Sequence, residues 1–114
     1  MALDAIVANP GRLKILTSLA TAPSQEFVQL RQRTSLTDGN LSTHARRLHN
    51  AGLLAIEKSF RAGKPVTTFT LTIEGRRALE SHVRGLMDAL NLTPANQTVA
   101  FSSVGKAVED EWVD

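Results

Sequence analysis

The chain contains no cysteine. That excludes a disulfide framework, a thiolate metal site and a thiol nucleophile, and it suits a reducing compartment. No apolar run reaches the roughly eighteen residues that a membrane-spanning helix needs. The opening "MALDAIVANPGRLK" has an acid at Asp4 and only a short apolar stretch, so it does not read as a signal peptide, and a cytoplasmic location is expected. Asn40, Asn91 and Asn96 each open an Asn-x-Ser/Thr triplet, which without a secretion signal reads as chance. The glycines form neither a Walker nor a dinucleotide-binding pattern. His44, His49 and His82 have no ligand spacing, so neither a metal nor a cofactor is expected. Ser42 and His44 point different ways on a helix and no third orienting group follows, so catalysis is not expected either. No internal repeat is visible.

What remains is one ordinary domain: 114 residues, 42% of them hydrophobic. The formal net charge of +2 hides an asymmetry. Residues 1–92 hold twelve Lys and Arg against seven Asp and Glu, and residues 93–114 hold Lys106 against Glu109, Asp110, Glu111 and Asp114. A basic body with an acidic tail suits a polyanionic partner for the body. The expected division is therefore a folded domain over 1–92 and an acidic tail over 93–114. Within the tail, Phe101, Val104, Val108 and Trp112 recur at helical spacing and predict a short helix.

Asn9-Pro10 starts a first helix, with Leu13, Leu16, Leu19 and Ala20 at helical spacing. "TAPS" (21–24) breaks it, and Ser24 is placed to cap a second helix whose apolar face is Phe27, Val28 and Leu30. Thr37 caps a third helix that ends at Gly52. "LLAIEKSF" (53–60) alternates at Leu54, Ile56 and Phe60, and "VTTFTLTI" (66–73) at Phe69, Leu71 and Ile73. "RAGKP" (61–65) lies between them as a turn, so the pair predicts a β-hairpin. Thr72 caps a last long helix with Leu79, Val83, Leu86 and Leu90 on one side and Met87 beside them. Three helices, a hairpin and a long helix make an α+β, mostly α fold, a winged helix-turn-helix.

The third helix is built from poor helix formers: Asp38, Gly39, Asn40, Ser42 and Thr43. Wound at about 100° per residue, it gathers Leu41, Ala45 and Leu48 into one apolar stripe. The opposite face collects Gly39, Thr43, Arg46, Arg47 and Asn50, flanked by Asn40 and Ser42. That face has no acid and no large apolar side chain. Arginine pairs bidentately with guanine or clamps phosphate, asparagine can pair with adenine, and short hydroxyls hold phosphate oxygens. Helix propensity is given up for recognition. Asp38 lies on the shoulder, as a cap-and-dipole residue. Lys58, Arg61 and Lys64 make the hairpin a second basic point, suited to backbone or minor groove.

"LTDGNLSTHARRLHNAGLL" followed by "GKPVTTFTLTIEGRRAL" resembles small bacterial and archaeal winged-helix transcriptional regulators of the MarR/ArsR-like group. The resemblance covers about residues 10 to 90. It implies a homodimer that places the third helix of each subunit in a major groove of double-stranded DNA. Carried onto this chain, the DNA-binding candidates are Gly39, Asn40, Ser42, Thr43, Arg46 and Arg47, with Arg61 and Lys64 on the wing. Thr37, Asn50 and Lys58 adjoin them and complete the set. Leu3, Ile6, Val7, Leu79, Val83, Leu86, Met87 and Leu90 are the dimerisation candidates. A two-fold dimer implies a palindromic operator with half-sites roughly 10 bp or a multiple apart. The expected function is sequence-specific transcriptional regulation, as a repressor. The alternative is a winged-helix protein-interaction module that docks through its C-terminal tail.

Overall fold

The computed structural model describes residues 2–92. The chain divides into two compact units, Met1–His82 and Val83–Asp114. The expected tail helix lies outside the described residues.

A short helix α1 (Ala2–Ala8) precedes α2 (Pro10–Thr21). Asn9 between them caps α2: the N–H groups of Gly11 and Arg12 donate to Asn9 Oδ1 at 2.9 and 3.2 Å, and Pro10 stands where no N–H is needed. After α2 the chain forms a three-residue strand, β1 (Ser24–Glu26), and then α3 (Phe27–Thr34). The expected cap at Ser24 is therefore displaced. Ser24 is paired with Thr70 in the sheet, and the residue preceding α3 is Glu26, whose N–H donates to Gln29 Oε1 at 3.0 Å.

Ser35, left-handed at φ 59°, closes α3. Thr37 starts α4 (Asp38–Asn50), its Oγ1 accepting from the N–H of Asn40 at 3.1 Å. Gly52, at φ 82°, turns the chain out of α4, while the Leu53 N–H returns to the Leu48 carbonyl at 3.0 Å. Strands β2 (Leu54–Arg61) and β3 (Lys64–Leu71) follow as an antiparallel hairpin, and β1 completes the sheet in the order β1-β3-β2. Arg61 pairs with Lys64, and Ala62 and Gly63 turn the tip at φ 54° and 80°. Positive φ at both central residues is the type I′ geometry that matches strand twist. Thr72 then caps α5 (Ile73–Ala89), accepting from the Gly75 N–H at 2.9 Å and donating to the Gly52 carbonyl at 2.8 Å. Gly75 is required by packing: a Cβ there would lie 2.1 Å from the Leu53 carbonyl oxygen.

The core of the first unit is built from Val7, Ile15, Leu16, Leu19, Leu30, Leu41, Ala45, Leu48, Leu53, Leu54, Phe69, Leu71 and Leu79. The rings of Phe27 and Phe69 meet at 6.0 Å with 43° between their planes. Three apolar positions expected to face inward from α3 and the hairpin are exposed instead. Val28 is exposed on α3; Ile73 begins α5 rather than ending β3; and Phe60 is 76% exposed. Alternation along β2 does continue to Phe60, but every residue of the strand from Glu57 to Arg61 is exposed.

Candidate nucleic-acid interface

The third helix of the sequence reading is α4. Leu41, Ala45 and Leu48 fill the core, and Gly39, Asn40, Ser42, Thr43, Arg46, Arg47 and Asn50 are all exposed. Burial of one stripe fixes the helix's rotation, and the rotation presents the other. Nothing lies within 4 Å of the place a Cβ would take at Gly39, so another molecule can approach the backbone of the first turn closely. The Thr37 hydroxyl accepts from Asn40, so capping and any contact with a ligand would share one oxygen.

The acid that opens α4 is ion-paired. Asp38 Oδ1 lies 3.1 Å from Arg31 Nε, an exposed ion pair that bridges the α3–α4 turn. Its energy in water is small. Its consequence is electrostatic: the carboxylate at the start of α4 is matched by a cation from the preceding helix. Asp38 is a capping and dipole residue by its place in the sequence; its partner on α3 has no sequence signal.

Behind α4 the helix layer is pinned by Arg12. Its Nε donates to the Ile6 carbonyl at 2.7 Å, and its guanidinium lies 3.4 Å from His44 Nδ1. Arginine can only donate, so Nδ1 accepts and the ring is neutral in this arrangement. Burial, then the Arg12 charge, holds the His44 pKa below 6.5. Arg12 is itself lowered, by burial first and the Arg47 charge second. The His44 ring seats against Gly11, where an added Cβ would come within 2.6 Å of Nε2. His44 therefore sits between α2 and α4, at the edge of the outer face. His49 Nδ1 donates to the Leu54 carbonyl at 2.9 Å and ties the end of α4 to β2.

On the hairpin, Lys58, Arg61 and Lys64 are exposed. Arg61 forms a two-pronged ion pair with Glu26, its Nη1 lying 3.3 Å from Glu26 Oε1. The hydrogen bond from Arg61 and its charge lower the Glu26 pKa, and Glu26 in turn raises that of Arg61. Strand β1 makes this possible by bringing Glu26 beside β3, a placement with no sequence signal because the strand is three residues long and exists only through pairing.

The dimerisation candidates separate into two groups. Val7 is fully buried and Leu79 nearly so, both in the chain's own core, so neither is free to meet a mate. Ile6, Val83 and Met87 are half-buried, and Leu86 and Leu90 are exposed. Leu3 lies in α1.

An open polar depression of about 430 Å³ lies where Lys14, Thr17 and Thr21 of α2 face Arg33 and Thr34 at the end of α3. Among the described residues, no group of three or more His, Asp or Glu is placed to hold a metal ion, and no helix is long and apolar enough to cross a membrane.

Residues 12–90 match the family described as winged helix DNA-binding domain. An uncharacterised protein of Methanocaldococcus jannaschii is 35% identical over 72 residues, which is 63% of this chain and 78% of that protein. A transcriptional regulator homologue of Pyrococcus horikoshii OT3 superposes with a TM-score of 0.67 at 32% identity, covering 77% of this chain and 90% of its own. A MarR family transcriptional regulator from Silicibacter pomeroyi shares the fold at a TM-score of 0.60 and 20% identity, over 84% of this chain and 62% of that one.

Proposed function

This chain belongs to the winged helix DNA-binding domain family, and from that premise we propose how it acts as a DNA-binding transcriptional regulator. Helix α4 enters the major groove. Arg46, Arg47 and Asn50 read base edges, while Asn40, Ser42, Thr43 and the N–H groups around Gly39 hold phosphates. Thr37 lies beside the same backbone. Lys58, Arg61 and Lys64 carry the hairpin to the flanking backbone or minor groove. The observation that carries this reading is the outer face of α4: seven polar or glycine positions, all exposed, with no acid among them. The work is binding, not catalysis.

The active species is a homodimer joined through Val83, Leu86, Met87 and Leu90, with Ile6 and Leu3 as further contributors, on a palindromic operator. Residues 1–92 act as the DNA-binding domain with its dimerisation helix, and 93–114 as an acidic appendage. Repression is the expected output, because a dimer occupying an operator excludes competing proteins from it.

Selection of bound duplexes from a random pool tests the reading directly. The expected outcome is an enriched palindrome whose half-sites lie roughly 10 bp or a multiple apart, bound with affinity that falls steeply as salt rises. Failure to enrich any duplex at low salt would end it, and a protein captured tightly through residues 93–114 would favour an interaction module instead.

A further inference from the structure

Phe60 is more exposed than any other large apolar side chain among the described residues, at 76%. It stands at the outer end of β2, directly across from Pro65, which is also exposed. Residues paired directly across a sheet share one face. The same face, followed inward, carries the pairs Lys58–Thr67, Ile56–Phe69 and Leu54–Leu71, the last two reaching the core. Arg61 and Lys64 point to the other side of the tip, where Arg61 meets Glu26. An aromatic ring and a proline thus form an apolar tip with cations before it and beside it. No acid occurs from Lys58 to Ile73.

We propose that Phe60, backed by Pro65, is an apolar wedge that the hairpin presses against a base step or the sugar edges of the minor groove. The proposal rests on the reading of the chain as a DNA-binding regulator and adds a contact that the basic residues do not supply. Phenylalanine and proline are among the side chains that part base steps in the minor groove, bending the duplex toward the major groove. The charges choose the occupant. Lys58 on the same face as the ring and Lys64 across the tip fit a polyanion, while Arg61 is held by Glu26; the two lysines oppose a second copy of the same tip, because like charges would meet. The two-residue I′ turn at Ala62 and Gly63 leaves Phe60 two positions from the turn, so the ring rather than the whole ribbon is what meets the groove.

Measurements on the full chain with its selected operator decide this. Phe60→Ala is expected to weaken binding about tenfold while leaving the slope of affinity against salt unchanged, since no phosphate contact is lost. Phe60→Leu should fall between parent and Phe60→Ala. Lys64→Ala, by contrast, should lower the slope by about one. Energy transfer between dyes at the two duplex ends should report a smaller bend with Phe60→Ala, and 2-aminopurine beneath the hairpin should lose its unstacking signal. A Phe60→Ala variant that binds and bends like the parent overturns the wedge alone; a parent that binds no duplex overturns the underlying reading with it. A drop in the thermal midpoint, or a change of mass by light scattering, would place the ring under protein and overturn the wedge as well.

Discussion

Arg46 and Arg47 stand adjacent on α4, so they diverge by about 100° and cannot make the same contact. Whichever arginine reads a base should cost roughly 1–3 kcal/mol when replaced by alanine and should relax sequence choice at that position. Competition binding against single-base operator variants measures both effects, and unchanged affinity and selectivity in both variants would remove the outer face from recognition. Gly75→Ala makes a prediction about stability instead. With the new methyl driven against the Leu53 carbonyl oxygen, α5 must shift, at a cost of roughly 1–3 kcal/mol visible in urea unfolding. Sequence alone indicated which residues of α4 face outward, because a buried stripe of leucines dictates the rest. It did not indicate that Gly75 is squeezed, since the crowding atom belongs to Leu53 in another segment.

At the scale of elements, the α2–α4 crossing carries a pH dependence. The folded state holds the His44 pKa below 6.5 through burial and the Arg12 charge, so the unfolded chain binds more protons at and just below that pH. Stability therefore falls as pH drops through that window. His44→Gln should flatten the dependence in urea midpoints compared between neutral pH and about pH 5, and a variant as pH-sensitive as the parent would exclude His44 as its source. The same crossing explains what the sequence did not reveal. Helix α1 is short and alanine-rich, with little periodicity of its own, yet it places the Ile6 carbonyl where Arg12 can reach it. Strand β1 likewise has no local signature. By contrast, α2, α4 and the hairpin were readable, because each repeats its apolar residues at the period of its own backbone.

For the whole molecule, the question is how many copies meet the DNA. Leu86 in α5 and Leu90 just beyond its end are exposed, and the proposed dimer uses them. Replacing both with glutamate should convert dimer to monomer in light scattering and reduce operator affinity by far more than half-site affinity. Retention of the dimer by this variant would move the interface elsewhere. Val7 and Leu79 show why tertiary packing decides at this scale. Their apolar character suited a dimer surface equally well, and only the packed structure showed them consumed by the chain's own core.

Local chemistry, written in the sequence, determined the elements of the proposed interface: the Thr37 cap, the Gly52 stop, the two faces of α4 and the basic hairpin. Those signals depend only on residues a few positions apart. Tertiary structure decided what partners each group has. It paired Arg61 with Glu26 and Asp38 with Arg31, lodged His44 against Gly11 and Arg12, and left Phe60 uncovered among the described residues. The physical reason is that burial and ion pairing are set within a few ångströms of space, by segments the chain brings together from far along its length.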